Sequence, residues 1–460
     1  MSRLRWGFVI LAMVAAAPVG AADEAAAVGG GGVSFSREVA PILVQECQGC
    51  HGPQKQKGGY RLDTFERLMQ PGDGEATPLA TGKPEASELF RLIVTRDEDK
   101  RMPQKDDPLS AAQVELVRRW IAEGGRFDGA DRAAAIASLA PVSHPPAPAA
   151  YAYPVPAAAV AFSPDGATLA VGGYHEITLW DAADGRLLRR VGDVPEQTHA
   201  LAFSPDGTVL AAAGGTPGSL GEVRLFSTAD TSTARAIDRT ADVFLCLAFS
   251  PDGRRLAAGG ADGAVRIYDV ASAARRLLVE HHADWVTAVA FNPAGDLVAS
   301  ASRDRSVRVV EARSGGITSA YLGHGDTPLA LAWDAAGRRL YTGGRERNVH
   351  LWDPAPEPKK VREITGFAGD VLRLAVVGDS LLSCSADGKV RRHGNEGRDL
   401  VRTYDAGGDW VVGLAVDRKN NRFAAGSHDG TVRIFHHDAA EPRLTFVASP
   451  GAKPATPPAQ

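Results

Sequence analysis

Ala161-Phe162-Ser163-Pro164-Asp165-Gly166 returns unchanged at Ala202 to Gly207 and at Ala248 to Gly253. It decays to Ala290-Phe291-Asn292-Pro293-Ala294-Gly295 and Ala332-Trp333-Asp334-Ala335-Ala336-Gly337, and two last copies keep only Leu374-Ala375-Val376 and Leu414-Ala415-Val416. From Phe162 the steps are 41, 46, 42, 42, 43 and 40 residues. A repeat of that period codes for one supersecondary unit that buries its apolar faces only against its neighbours. Each unit reads strand, Pro-Asp-Gly turn, strand, turn, strand ending in an aromatic and an acid, as in Trp180-Asp181, Tyr268-Asp269 and Trp352-Asp353. Turns such as Ala261-Asp262-Gly263 and Ala386-Asp387-Gly388 supply the positive-φ glycine between strands. Seven units from 151 to 448 predict an all-β array.

These units resemble the WD-repeat β-propeller, which implies seven blades closed into a ring. The fourth, sixth and seventh copies depart from its pattern, ending Val309-Val310-Glu311, Arg391-Arg392-His393 and Ile434-Phe435-His436. His199, His282 and His324, placed before the inner strands, are expected to hydrogen-bond within their blades. His281-His282 and His436-His437 would point to opposite faces of a strand, so neither pair is a good chelate. Cys246 and Cys384 sit in apolar strands and read as buried thiols of different blades, a disulfide between them being the alternative.

Ahead of the repeats, Cys47-Gln48-Gly49-Cys50-His51 carries the chemistry. Two thiols two residues apart, followed at once by a histidine, are the attachment signature of a c-type haem: each cysteine adds across one vinyl group, and the histidine lies under the iron. A zinc knuckle needs a second Cys/His pair nearby, and no cysteine lies between Cys50 and Cys246. A thioredoxin-like pair needs a βαβ context. The reading is one covalent haem c, with Cys47 and Cys50 as attachment points and His51 as proximal ligand.

The surrounding segment, 33–127, reads as a small all-α domain. A helix through Val39, Ile42 and Leu43 leads into the motif, with Pro41 tolerable near its first turn. A second opens on the capping box Ser110 to Gln113, continues with Val114, Val117, Trp120 and Ile121 on one stripe, and stops at Gly124. A distal ligand is needed to complete six coordination, and beyond residue 22 only Met69 and Met102 are methionines. Met102, in Arg101-Met102-Pro103 just before the closing helix, is the preferred distal ligand. Met69 reads as a core residue; it, a histidine or an open position are the alternatives.

Residues 39–125 resemble the planctomycete-type cytochrome c domain through a series of strings in order. These are Val39-Ala40-Pro41-Ile42-Leu43, Cys47 to Pro53, Lys55 to Asp63, Gly82-Lys83-Pro84, Arg101-Met102-Pro103, Pro108-Leu109-Ser110 and Arg119 to Gly124. The resemblance implies His51 and Met102 as axial ligands. Gln104 departs from it, standing where a second proline commonly follows Met-Pro.

The first 22 residues read as a secretory signal: basic Arg3 and Arg5, an apolar run from Trp6 to Val19, then Gly20-Ala21-Ala22. Export fits covalent haem attachment and predicts a periplasmic or otherwise exported protein with no membrane span after cleavage. Residues 23–32 form a Gly/Ala spacer, 128–150 an Ala/Pro linker and 449–460 a disordered tail. Formal charge is −4, or −6 without Arg3 and Arg5; a mildly acidic chain with dispersed charge has no footprint for nucleic acid. The expected function is single-electron transfer, with the propeller docking an unidentified redox partner protein and no substrate turnover of its own. The alternatives are a binding scaffold with a structural or sensory haem, and a haem enzyme with chemistry on the propeller. The latter needs a second prosthetic group, for which no attachment motif exists.

Overall fold

The computed structural model describes residues 32–452 apart from 53–54, 75, 105–106, 129–131, 134, 137–141, 143 and 232–233. The expected signal, nearly all of the spacer and residues 453–460 of the tail lie outside the described residues. Among the described residues no helix is long and apolar enough to cross a membrane.

Five short helices come first: α1 (Ala40–Glu46), α2 (Gln48–His51), α3 (Phe65–Leu68), α4 (Glu88–Val94) and α5 (Ala111–Ala122). A π-helical turn, Phe35–Val39, runs into α1, and Pro41 falls in its first turn, where a missing N–H costs nothing. The capping box on α5 is made in full: the Ser110 side chain accepts from Gln113 N, and the Gln113 side chain accepts from Ser110 N. Beyond α5 Gly124 has φ +107° and donates to the Ile121 carbonyl, a reversal that only glycine makes without strain.

The buried stripe Val117, Trp120 and Ile121 packs on an aromatic cluster. The Phe35 centroid lies 4.9 Å from Phe65 and 5.2 Å from Trp120, and Phe65 lies 4.7 Å from Phe127. The indole N–H is satisfied by the Arg126 carbonyl at 2.9 Å. This core reaches into the segment read as linker: Ile136 is fully buried in it and donates to the Asp63 carbonyl, and the Arg132 guanidinium covers Phe65.

From Val160 to Val447 the chain forms seven four-stranded antiparallel sheets, each made of consecutive strands. The repeated Ser-Pro-Asp-Gly builds the first turn of each early blade. Ser163 Oγ donates to Asp165 and accepts from Thr168 N, Asp165 also accepts from Ala167 N, and Gly166 takes φ +76°. The same bonds recur at Ser204 with Asp206 and at Ser250 with Asp252. Asn292 and Asp334 replace the serine in the decayed copies and accept from the same downstream N–H, at Leu297 and Arg339. That equivalence explains why a decayed sequence keeps the turn.

Blade five carries a full internal relay. Trp352 Nε1 donates to Thr342 Oγ1, which also meets His324 Nε2 at 2.8 Å, while His324 Nδ1 meets Glu346 at 3.1 Å. Blade four keeps His282 with Ser300 and Asp304 and does without the tryptophan. In blade six Arg391 reaches back to Asp387 of its own turn, as Arg266 does to Asp262 in blade three. His282 and His324 therefore serve as expected. His199 does not: it sits at a bulge in the first strand of blade two, between Thr198 and Ala200, and its Nε2 has no partner among the described residues. Cys246 and Cys384 are buried free thiols in blades three and six.

Among the described residues every sheet is built of consecutive strands, so none is exchanged to close the ring. Residues before the first strand are instead bound to the last blade: Ala157 N donates to the Ser427 carbonyl, Val155 N to Ser449 Oγ and Tyr151 N to the Pro450 carbonyl. Described residues between 142 and 149 are also held. Arg190 binds the Ala149 and Pro148 carbonyls, Arg224 binds the Val142 carbonyl, and His144 Nε2 meets Glu222 at 2.8 Å. Proline-rich extended backbone leaves its carbonyls free, and the guanidinium groups take them.

Glu222 is the centre of that clasp, fully buried against His144, Arg224 and Arg239. Burial raises its pKa, but the His144 hydrogen bond and the two guanidinium charges outweigh burial and bring it down from 4.5 to about 2. The unfolded chain takes up the proton first as pH falls, so this stabilisation is complete above pH 4.5 and is lost towards pH 2. Glu222→Gln, which removes the buried carboxylate charge that Arg224 and Arg239 share, should cost about 3–5 kcal/mol at neutral pH. Denaturant unfolding at pH 7 and pH 3 checks this: the gap between wild type and variant should narrow at the lower pH.

Candidate functional site

The haem motif occupies a break between two helices. Cys47 closes α1 with φ −123°, the Cys47 carbonyl accepts from both Cys50 N and His51 N, and Gly52 leaves α2 extended. A side chain at Gly52 would press on the Gln48 carbonyl. The loop that follows returns over the motif, where Leu62 N donates to the His51 carbonyl and Gln48 Nε2 to the Leu62 carbonyl. Tyr60 is pinned by its hydroxyl on the Leu68 carbonyl, and its ring meets His51 edge-on at 5.7 Å.

That placement settles the use of the imidazole. His51 Nδ1 lies 3.3 Å from the Tyr60 carbonyl, which accepts only, so Nδ1 carries the proton and Nε2 keeps its lone pair. A ring nitrogen fixed by a backbone carbonyl is the arrangement that orients a metal-binding histidine. Spacing alone does not reveal Tyr60, because the bond uses its backbone and any residue type supplies a carbonyl.

Across from His51 lies the Met102 loop. Met102 N donates to the Leu92 carbonyl at the end of α4, and Gln104 Nε2 to the Asp99 carbonyl, so side-chain bonding stiffens the loop where a second proline is missing. Cys47, Cys50, His51 and Met102 all border one cavity of about 130 Å³. A second, of about 260 Å³, shares Cys47, His51 and Met102 and is walled by Tyr60, Leu62, Leu89, Leu92 and Ile93. Met69 borders neither; it caps α3 and packs on the core. The four expected site residues are thus brought together, and the apolar walls and free Nε2 fit a flat, largely apolar group held at its iron. Burial, then Glu46, pushes the Cys47 thiol up to about 12, the reverse of the lowered thiol of a redox-active pair.

One cluster eluded the sequence. His324, Glu346 and His350 bring ligand-type atoms within 4.8 Å of one another. His324 already uses both nitrogens in the blade-five relay, and His350 Nδ1 meets the Tyr321 hydroxyl. The two rings stack 4.5 Å apart and 10° from parallel, so in-plane lone pairs do not converge on one ion. Burial, then the neighbouring His350, brings His324 down to about 4, keeping it neutral at physiological pH.

A small helical domain with this motif, joined to a seven-bladed propeller, defines a cytochrome-like protein on a repeat scaffold. Residues 47–106 match the family described as Planctomycete cytochrome C. Residues 238–269, 275–311, 316–353 and 398–436 match the WD domain, G-beta repeat. The chain therefore combines a planctomycete-type cytochrome c domain with a WD-repeat β-propeller, a haem-binding unit beside a scaffold of the protein-interaction type. No curated protein sequence matches it.

Gly72 lines the larger cavity, and a Cβ there would run into the Gly58 carbonyl and the Tyr60 backbone. Gly72→Ala should displace the Tyr60 loop and lower haem content per chain several-fold, as read from the ratio of haem to protein absorbance. A fully loaded variant would separate that loop from the site.

Proposed function

We propose that this protein is an exported single-electron carrier. Cys47 and Cys50 hold one haem covalently, His51 Nε2 is its proximal ligand and Met102 its distal ligand. The observation that carries the reading is that these four residues border one cavity, with His51 Nδ1 already committed to the Tyr60 carbonyl. A bound haem supplies an iron that changes by one electron, and methionine ligation raises its potential. The protein's own part is to fix the imidazole, exclude water with Leu89, Leu92 and Ile93, and hold the thioether loop through the Leu92 carbonyl.

The propeller is read as the docking element for a redox partner protein. Trp285 and Trp410 are exposed just before the inner strands of blades four and seven, and large aromatics of this kind dominate binding energy at interfaces. Periplasmic location rests on the N-terminal signal pattern and on the compartment in which haem is attached.

In a host that attaches haem, Cys50→Ala should lose most of the haem-stained band on a denaturing gel. A band of undiminished strength would refute covalent attachment at this motif. Met102→Ala should remove the weak far-red band of the ferric state and lower the potential, whereas Met69→Ala should do neither. The reverse pattern would move the distal role to Met69.

A further inference from the structure

The seven inner strands present equivalent positions three residues before the repeat's anchor at Phe162 and its successors. Six of them carry small residues: Ala159, Ala200, Cys246, Ala288, Ala330 and Gly413. The seventh is Arg373, paired with Cys384 in blade six. A repeat array that keeps this ring small and then places its longest cation in it has broken its own pattern at one point.

Arg373 is half-buried and lines a central cavity of about 220 Å³. Its one hydrogen bond among the described residues is from Nη1 to the Leu372 carbonyl, and no carboxylate lines the cavity. His199 of blade two and Cys246 of blade three line the same cavity as Arg373, so residues of three blades meet there. His199, bulged out of its ladder, lines the same cavity with Nε2 buried and unpartnered. A guanidinium stays charged even when buried, and a buried charge without a counterion is costly. Among the described residues the channel therefore holds a cation and a spare imidazole nitrogen, and no carboxylate lines it.

We propose that the central channel is a binding site for a small oxyanion, of carboxylate or phosphate type, held by the Arg373 fork with His199 Nε2 as a second contact. The planar guanidinium matches two oxygens of such a group in a way a point charge does not. The cavity admits an anion of a few heavy atoms, not a nucleotide or a peptide. The site lies in the propeller and uses no residue of the haem motif, so it stands whether or not the electron-carrier reading does.

The test is calorimetric titration of the full-length haem-loaded protein with acetate and, separately, inorganic phosphate, against sodium chloride at equal ionic strength. Saturable one-site binding of either is expected, and the better ligand assigns the class. Arg373→Gln should weaken it at least about thirtyfold, as for loss of a buried charged partner. His199→Ala should weaken it about five- to tenfold, one hydrogen bond's worth, and decides the matter alone if Arg373→Gln does not fold. Anion binding also stabilises the folded state, so the wild-type melting midpoint should rise with anion and that of Arg373→Gln should stay flat. Absence of saturable binding by both anions overturns the proposal, as does binding unaffected by both substitutions.

Discussion

A sheet of four short strands has two apolar faces and cannot bury either by itself. Every blade here meets that constraint by packing on its neighbours, so the ring has to close before any blade is fully stabilised. The chain closes it without strand exchange, through the hydrogen bonds from Tyr151, Val155 and Ala157 to the last blade. Arg422 adds a side-chain tie across the same seam, to the carbonyls of Ala182 and Gly166. The proline-rich segment ahead of the first strand shares this role, because Glu222, Arg224 and Arg190 bind it to blades one and two. Composition describes that segment as a linker, but its free carbonyls make it part of the propeller's edge.

The helical unit solves a different problem with fewer residues. Its core is an aromatic cluster around Phe35, Phe65, Trp120 and Phe127, which supports α1 and α5 and leaves the haem motif at the edge of the packed region. The motif gains its geometry from the returning loop more than from its own helix. His51 is held at two points, the carbonyl by Leu62 N and the ring by the Tyr60 carbonyl, while Met102 is held through Leu92 on α4. The two candidate ligands thus come from separate elements locked by backbone bonds, which under the proposed electron-carrier role would favour a fixed iron environment and a small reorganisation.

The legibility of these features follows from the kind of bond that makes them. The Ser-Pro-Asp-Gly turn is built by side chains, so Ser163, Asp165 and Gly166 can be read as a turn and followed through five copies as they decay, the last two repeats being marked by Leu-Ala-Val alone. The capping box at Ser110 and Gln113 is equally side-chain chemistry, and it formed as read. Tyr60 and Leu92 act through their carbonyls, and a carbonyl has no signature in a sequence. Ring closure and the burial of Ile136 are long-range contacts with no local pattern. His199 reads as a blade histidine beside His282 and His324, yet it stands four residues before its repeat's aromatic where they stand nine before theirs; it therefore falls inside the strand, at a bulge between Thr198 and Ala200. Arg373 breaks the pattern of the aligned repeat, but only the closed ring shows that no carboxylate among the described residues lines the cavity it borders.

Redox titration of the full-length, haem-loaded protein followed by its visible spectrum tests the central claim most directly. The account predicts one reversible one-electron transition, with a low-spin spectrum that is recovered in full on reoxidation. Two transitions, a haem that cannot be cycled, or a spectrum that changes irreversibly on reduction would contradict it.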